Sequence, residues 1–443
     1  MLERLFRLSE NRTTVRAEVL GGATTFVAMV YIVFVQPAVL QLAGMDFGAV
    51  MVATCLAAAL ATLIMGLIAN YPICQAPLMG ENFFFVFTVA IGMKLGWRGA
   101  LGAVFISGLL FLALTFLHLR ERVLEAIPAS LRHAITAGIG LFIALIGLEQ
   151  AGFVVKGEPL LKLGSLGGRP QIVALMGLAV TLALVLRKVQ GALLWGMLVA
   201  TATGLWLGVV NYAGVVSAPP SLAPTFLQLD IRAALSLAAL PAILLLLFML
   251  LFDTLGTLLG VSAQAGLLRD GKLPRMRQAL LADAVGTLAG SLLGTSTVSS
   301  FIESSAGVQS GARTGLANIV TAGLFLLCIF FSPLARMVGG GYLVPGSNPA
   351  LVLYPITAAS LILVGSLMAS AVKGIHWEDG TEAVPAFLTL VGIPFTYNIA
   401  DGLAFGLILY PIGKALTGRR REASPLLWGL ALLCVARYAF LRL

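Results

Sequence analysis

The stretch GTSTVSSFIESSAG, residues 294–307, decides the fold, because it is small, polar and acidic between long apolar runs. Lipid cannot hydrogen-bond exposed backbone, so such a segment persists at membrane depth only when it is buried in protein or lines a wet cavity. Its Thr-Val-Ser-Ser portion favours an extended chain, and Glu303 then opens a helical run. An extended segment that breaks into a half-helix offers free N–H groups to a polar ligand. The alternative is a polar loop on the membrane surface, which the apolar neighbours disfavour.

The rest of the chain has the composition of a polytopic membrane protein. Of its 443 residues, 59% are hydrophobic and 11% are charged, and the mean hydropathy is +1.00. The net charge of +9 is typical of positive cytoplasmic loops, so no nucleic-acid partner is expected. The cysteines all lie in apolar segments without the spacing of a metal site, and they are Cys55, Cys74, Cys328 and Cys434.

Apolar runs separated by short polar turns predict an all-α protein with about fourteen membrane spans. The first-half spans are 19–42, 49–68, 73–92, 99–117, 134–148, 172–186 and 192–210. The second-half spans are 235–260, 279–293, a broken span ten around the opening stretch, 316–331, 350–371, 383–397 and 400–416. The predicted parts are a cytoplasmic N-terminus (1–16), a first repeat (17–214), a connector (215–234), a second repeat (235–418) and a basic tail with an interfacial helix (419–443).

Basic residues in the loops predict the orientation of the chain. With the N-terminus and every even-numbered exit on the cytoplasmic side, most of the 28 lysines and arginines fall on that side. Those basic positions include Arg120, Arg122, Arg132, Arg269, Lys272 and Lys414. Positive charge concentrates in cytoplasmic loops, so we expect a multi-pass protein of the cell (inner or plasma) membrane with both termini cytoplasmic. The lipid bilayer is one partner, and the sequence leaves open whether the protein is a homodimer.

A weak internal repeat relates the two halves of the chain. LAAALATLIMGL (56–67) aligns with LADAVGTLAGSL (281–292), and half of the positions agree. Alanine and leucine are common here, so chance similarity is the alternative, and the placement is more informative than the identities. Each segment lies in a span that a broken polar stretch follows directly, and the two spans are an odd number apart. The halves therefore enter the membrane in opposite directions, which predicts a 7+7 inverted repeat with its site where the broken stretches meet.

Ionisable side chains inside membrane spans are candidates for function, because they are costly there. Asp253 lies deep in span eight and Glu303 lies in span ten, so both are candidates for substrate binding and proton coupling. The amide of Asn82 can donate and accept, which suits the edge of a heterocycle. Glu81 is either a third acid of the site or a group that faces a wet vestibule. Ser304 and Thr257, close to these acids in sequence, complete the predicted substrate-binding set.

Several of these residues also have a structural interpretation. Asp253 would serve as a hydrogen-bond acceptor to a neighbouring helix, and Asn82 would serve as a helix cap. Asp283 in span nine fits a packing acceptor as well as a functional group. The sequence shows no Walker loop, metal cluster or nucleophile triad, so we expect neither an enzyme nor a cofactor. The energy for transport would come from an ion gradient or from the gradient of the substrate.

Four motifs together resemble the AzgA-type purine permeases of the nucleobase–cation symporter-2 superfamily. They are DTLGTL (253–258), GTST (294–297), FIESSAGV (301–308) and RTG (313–315). The resemblance implies a 7+7 inverted repeat divided into core and gate domains, with proton-coupled uptake of adenine, guanine or hypoxanthine. It also implies that Asp253, Glu303 and Asn82 hold the purine nucleobase and that the proton gradient replaces any cofactor.

The sequence departs from this family in span three. Where the family usually has Ala-Pro-Gly-Met-Gly-Leu-Asn, the chain has APLMGEN (76–82), which introduces Leu78 and Glu81. If Glu81 lines the pocket, three carboxylates share it and cannot all be ionised together. A xanthine or uracil symporter is one alternative function, although the Asn-x-Gly element of those relatives is missing after Glu303. An anion transporter or channel of the same fold is the other, and two acids at the site disfavour it because they repel anions.

Overall fold

The computed structural model describes residues 2–117, 127–158, 160–236, 239–268, 273–345, 347 and 351–440. Within these ranges the chain is mostly helical, with three short antiparallel strand pairs. The predicted all-α polytopic architecture is confirmed. The basic positions Arg120, Arg122, Arg269 and Lys272, which contribute to the predicted orientation, lie outside the described residues.

The helices follow the predicted order along the chain. In the first half they are α1 (Leu2–Phe6), α2 (Val15–Met29), α3 (Ile32–Leu40), α4 (Phe47–Ile64), α5 (Met79–Phe83), α6 (Gly96–Leu117), α7 (Ala129–Gln150), α8 (Arg169–Leu186) and α9 (Ala192–Trp206). In the second half they are α10 (Ile231–Ala234), α11 (Leu240–Gln264), α12 (Met276–Leu293), α13 (Ser304–Gln309), α14 (Leu316–Cys328), α15 (Ser332–Gly339), α16 (Pro355–Ala369), α17 (Gly380–Thr396), α18 (Ile399–Leu416) and α19 (Pro425–Phe440).

Short 3₁₀ segments, π-helical turns and strands complete the described secondary structure, and the 3₁₀ segments are Gln41–Ala43, Ile329–Phe331, Ser370–Gly374 and Arg420–Glu422. The π-helical segments Met65–Ala69 and Phe84–Gly92 continue α4 and α5, respectively. The strands are β1 (Gln75–Pro77) paired with β4 (Val298–Ser300), β2 (Val154–Lys156) paired with β3 (Leu161–Leu163), and β5 (Tyr342–Leu343) paired with β6 (Val352–Leu353). Of the helical segments in the described ranges, nine are long and apolar enough to cross a membrane, and shorter apolar helices lie beside them.

Span one is confirmed, because its predicted range 19–42 lies within the apolar helical stretch Val15–Ala43, although the regular helix is interrupted once. The structure divides it into α2 and α3, with Val30 and Tyr31 in a turn between them. Tighter i→i+3 bonds replace the regular helical ladder here, with the N–H of Val33 donating to the carbonyl of Val30 at 3.0 Å. Neither glycine nor proline stands at the break, so a pattern of apolar residues does not reveal it.

The helices form two bundles, each drawn from both halves of the sequence. In the first bundle, which corresponds to the expected core domain, α14 packs on α2 and α4 while α12 packs on α4 and α6. The first bundle also includes α11, which packs on α6, and α5, whose continuation over 84–92 packs on α6. In the second bundle, which corresponds to the gate domain, α7 packs on α16 and α17 and α17 packs on α18. Glycines allow the closest crossings, because a Cβ on Gly140 of α7 would stand 2.6 Å from the carbonyl oxygen of Gly365 in α16.

Aromatic rings join the two bundles. Phe142 of α7 makes edge-to-face contacts with Phe83 and Phe87 of the first bundle, at ring-centroid distances of 6.5 Å and 5.7 Å. It makes a third such contact with Tyr397, at 5.4 Å. Edge-to-face packing stabilises such clusters beyond their burial alone, so Phe142 connects the bundles on one side of the space between them.

An ion cluster fixes the end of α18. Lys414 is 2% exposed, and its ammonium lies 2.7 Å from Glu422, 2.8 Å from Glu382 and 3.6 Å from Asp379. The guanidinium of Arg419 donates to Asp379 and holds the pKa of that carboxyl below its usual range. Lys414, which the sequence assigns to the cytoplasmic side, is thus surrounded by three carboxylates, and its side of the membrane stays a prediction.

We expect Lys414→Met to lower the free energy of unfolding by about 1.5–3 kcal/mol, because it removes charge-assisted hydrogen bonds to partly exposed carboxylates. Thermal unfolding of the detergent-solubilised protein measures the change. Lys373→Met is the matched control, since Lys373 is an exposed lysine. Equal melting temperatures for the two variants would contradict a structural role for the cluster.

Candidate functional site

Two short strands meet in the buried interior of the first bundle. Strand β1 runs antiparallel to β4, with the pairs Gln75↔Ser300, Ala76↔Ser299 and Pro77↔Val298. Beyond the strands, the N–H of Leu78 donates to the carbonyl of Thr297 at 3.2 Å, and that of Phe301 donates to Cys74 at 2.9 Å. Every residue of both strands is buried. The predicted meeting of the two broken stretches is confirmed, and the surface-loop alternative is wrong.

Asp283 of α12 supports this strand pair. Its carboxylate is fully buried and accepts hydrogen bonds from Ser299 at 2.9 Å, from Ser300 at 3.0 Å and from the amide of Gln75. The hydroxyl of Thr254 in α11 lies 2.6 Å from that of Ser299, which extends the network to a second helix. Of the two interpretations of Asp283, the packing acceptor fits these contacts.

Asn82 belongs to a second buried network. Its amide nitrogen donates to Gln36 of α3, and its amide oxygen accepts from Ser296. Gln36 in turn donates to Thr295 at 2.9 Å and to Ser296 at 3.0 Å. Asn82 lies within α5 rather than at its start, so it is not a helix cap. In this structure both ends of its amide are bonded to protein, and its contact with a substrate stays a prediction.

Glu303 stands immediately before α13, where the extended chain becomes helical, as predicted. The hydroxyl of Tyr31 donates to its Oε1 at 2.9 Å. Tyr31 is 2% exposed and lies in the turn between α2 and α3, so the break in span one places a donor against this carboxylate. The next residue, Ser304, accepts a hydrogen bond from the N–H of Cys74 at 2.9 Å. Ser304 thereby joins the two broken stretches.

Asp253 lies near the middle of α11 and lines a cavity of about 50 Å³ between the two bundles. Gly80 lines it from the first bundle, and Arg132 and Thr136 line it from α7. Its other walls are apolar and include Ile135, Ile139, Phe248, Phe252, Met368 and Leu403. Among the described residues, the predicted site residues that do not line this cavity are Glu81, Asn82, Thr257, Glu303 and Ser304.

Glu81 is fully buried on α5, beside the cavity-lining Gly80. Its Oε2 accepts from the hydroxyl of Thr297 at 3.2 Å, whereas its Oε1 has no hydrogen-bond partner in the described part of the chain. Hydroxyls of the second broken stretch connect Glu81 to the other acids, because Thr297 lies near Ser299 in the β4 region, and Ser299 donates to Asp283 and lies 2.6 Å from the hydroxyl of Thr254, which follows Asp253. A wet vestibule does not fit this burial, and three carboxylates share one neighbourhood of the first bundle.

Three polar side chains at these contacts were not among the predicted site residues. Gln36 interrupts an apolar run, and an isolated amide in a membrane helix is the signal that would have found it. Tyr31 has no such signal, because a tyrosine in an apolar span is common. Arg132 was assigned to a cytoplasmic loop, whereas the structure places it in the first turn of α7 and in the cavity wall.

A model of the Permease family matches residues 16–405, which is most of the chain. The chain belongs to this family. The permease is 44% identical to the adenine permease AdeP of Escherichia coli strain K12, over 100% of its own length and 96% of that protein. It is 42% identical to the guanine/hypoxanthine permease PbuG of Bacillus subtilis strain 168, over 100% of both chains. It is therefore a multi-pass membrane transporter and not an enzyme.

A solved structure supports the fold of the permease. The transmembrane domain of the cyanobacterial bicarbonate transporter BicA superposes with a TM-score of 0.62, covering 87% of the permease and 97% of that domain at 15% identity. This likeness concerns the fold alone. The expected 7+7 inverted repeat is confirmed, while the residue limits of the two repeats stay a prediction.

We expect Asp283→Leu to destabilise the permease strongly, because each buried donor left without its acceptor costs about 1–3 kcal/mol. Ser299, Ser300 and Gln75 would lose their common acceptor. Ser291→Ala is the control on the same helix, since its hydroxyl donates only to the carbonyl of Leu288 in the preceding turn. Thermal unfolding in detergent compares the two variants. Similar melting temperatures would show that Asp283 does not support the strands.

Proposed function

We propose that the permease carries purine nucleobases, adenine, guanine or hypoxanthine, across the cell (inner or plasma) membrane. The observation that carries the proposal is its similarity to relatives named adenine permease and guanine/hypoxanthine permease, along the whole chain rather than at one motif. We further propose that uptake is coupled to protons, that both termini are cytoplasmic and that transport proceeds by alternating access.

The placement of Asp253 and Glu303 supports a heterocyclic substrate. Purines carry N–H donors on their edges, and carboxylates accept such donors in strong, charge-assisted hydrogen bonds. Asp253 opens onto the cavity, and among the hydrogen bonds of the described residues the side chain of Glu303 accepts only one, from Tyr31. Both carboxylates therefore have lone pairs that a nucleobase can use, in contrast to Asp283 with its several donors, and of the two Asp253 is the one that lines the cavity in this structure.

The position of the cavity supports alternating access. Its walls come from α11 and α5 of the first bundle and from α7, α16 and α18 of the second, while each bundle packs mainly within itself. A site between two rigid bodies can open to either side when one body moves against the other. Asp253 would travel with the first bundle, which makes it our candidate for the proton-coupled group.

One observation favours a second function, that of an anion transporter. The cationic side chain of Arg132 lines the same cavity as Asp253 and would attract an anion. Asp253 opposes this attraction, and Glu81 adjoins the cavity-lining Gly80 on α5. The purine proposal accommodates all three side chains, because a nucleobase presents both donors and acceptors.

Uptake into proteoliposomes that contain the purified permease tests the function. We expect accumulation of radiolabelled hypoxanthine or adenine when the interior is alkaline, and loss of accumulation when a protonophore removes the gradient. Unlabelled nucleobases should compete, while bicarbonate and sulfate should not. Competition by those anions without any purine uptake would instead support the second function.

Glu303→Ala should weaken purine binding by roughly 10- to 100-fold, because a lost charge-assisted hydrogen bond costs about 1.5–3 kcal/mol. Glu303→Gln keeps the shape and removes the charge, so its loss should be smaller. Equilibrium binding of labelled purine in detergent measures both variants. Glu378→Ala, at an exposed position, is the control. Unchanged affinity in Glu303→Ala would remove Glu303 from the binding site.

Asp253→Asn should bind purine and exchange bound for external purine, yet fail to accumulate it against a gradient. The amide keeps the shape of the side chain but cannot take up a proton. Asp230→Asn is the matched control, because its side chain caps a helix and asparagine caps equally well. If Asp253→Asn still concentrates substrate with normal pH dependence, the coupling lies elsewhere, and Glu81 is the next candidate.

A further inference from the structure

Arg132 and Asp253 line one cavity from opposite bundles without forming an ion pair within the described residues. Arg132 lies in the first turn of α7, and its guanidinium carbon is 5.4 Å from the centroid of the Phe252 ring. Phe252 immediately precedes Asp253, and the attraction of the cation to this ring holds Arg132 in the wall of the cavity that Asp253 also lines. The space between them is where a ligand would contact both.

The guanidinium of Arg132 has unused hydrogen-bonding capacity. Its Nε is buried and has no hydrogen-bond partner in the described part of the chain. A guanidinium carries five donors and no acceptor, and a buried donor left unpaired is costly. Most of the cavity wall is apolar, and besides Arg132 and Asp253 the side chain of Thr136 is the polar one among the described lining residues. A ligand that fits must therefore offer an acceptor edge to Arg132 and a donor to Asp253.

We infer that Arg132 determines specificity by donating to O6 and N7 of a 6-oxopurine whose N1–H is accepted by Asp253. The inference rests on the proposed function and refines its substrate to guanine and hypoxanthine. In both bases O6 lies between N7 and N1, so one edge meets the cation while the adjoining N–H meets the carboxylate. Bidentate contact of arginine with O6 and N7 is the commonest way in which proteins read guanine.

Adenine does not satisfy this pair of side chains. Its amino group at position 6 is a donor and would face the donors of Arg132, and its N1 is an acceptor and would face the oxygens of Asp253. A site whose buried polar groups are left unpaired by a ligand rejects that ligand strongly. The chain's similarity to both adenine and guanine/hypoxanthine permeases does not distinguish adenine from the 6-oxopurines as substrate, whereas the donors of Arg132 favour the 6-oxopurines.

The first arm of the test varies the ligand on the unmodified permease. Competition against labelled hypoxanthine in proteoliposomes compares guanine, adenine and 7-deazaguanine, in which a C–H replaces the N7 acceptor. We expect guanine to bind on the order of 10- to 100-fold more tightly than adenine. We expect 7-deazaguanine to bind about 10-fold more weakly than guanine, because it loses one charge-assisted acceptor.

The second arm varies the protein. Glutamine pairs with N6 and N7 of adenine, so Arg132→Gln should shift the guanine-to-adenine preference by about 10-fold or more and remove the penalty on 7-deazaguanine. Arg132→Lys keeps the charge but loses the planar pair of N–H donors, so it should retain binding with a smaller preference for guanine over adenine. Arg187→Gln is the matched control, because Arg187 is an exposed arginine at the end of α8.

Each outcome separates this inference from the proposed function. If no nucleobase binds the unmodified permease, the proposed function itself fails. If nucleobases bind but adenine matches guanine, or Arg132→Gln keeps the preference within about 2-fold of the unmodified permease, the role of Arg132 is wrong and the proposed function stands. If the Arg132 variants do not elute as folded protein in size-exclusion chromatography, the ligand arm decides, and equal affinity for guanine and 7-deazaguanine overturns the inference.

Discussion

Backbone pairing between β1 and β4 is the constraint on which the rest of the structure depends. A polypeptide in the bilayer core must satisfy its N–H and C=O groups internally, and an isolated extended segment cannot do so. Two such segments that run antiparallel satisfy each other, and Asp283 and the surrounding hydroxyls bond the side chains that project from the pair. The half-helices α5 and α13 then start from this pair, which fixes the positions of Asn82 and Glu303.

The carboxylates inside the first bundle differ in how far the protein satisfies them. Asp283 accepts several donors and acts as a support. Glu303 accepts a hydrogen bond from one side chain, and Asp253 opens onto a cavity that carries a cation on its far wall. A polar group bonded by its own protein fixes a structure, whereas one with spare lone pairs can recognise a ligand. The number of hydrogen bonds that each carboxylate accepts from the protein therefore distinguishes the structural acid from those that can bind a ligand.

The sequence was sufficient for the architecture and for the positions of its polar breaks, and the reasons are physical. Apolar runs, the odd offset of the repeat and polar breaks at 73–82 and 294–303 follow from the demands of the bilayer, so the 7+7 fold and the meeting of the breaks were predictable. The turn at Tyr31 was not, because it arises from tertiary packing without a local glycine or proline. The burial of Lys414 and the position of Arg132 in the cavity wall depend on which helix ends pack together. Assigning basic residues to loops along the sequence does not reveal this packing.

The strand pair also governs how the protein can be made. The contact from the N–H of Cys74 to Ser304 joins residues 230 apart in sequence, so the first broken stretch leaves the ribosome long before its partner exists. Until then the backbone of β1 must find water or other protein groups, because lipid offers it none. Membrane insertion of the first half can therefore precede its final folding, and completion waits for the second half. Folding of this permease therefore depends on contacts between residues far apart in sequence and cannot be completed one helix at a time.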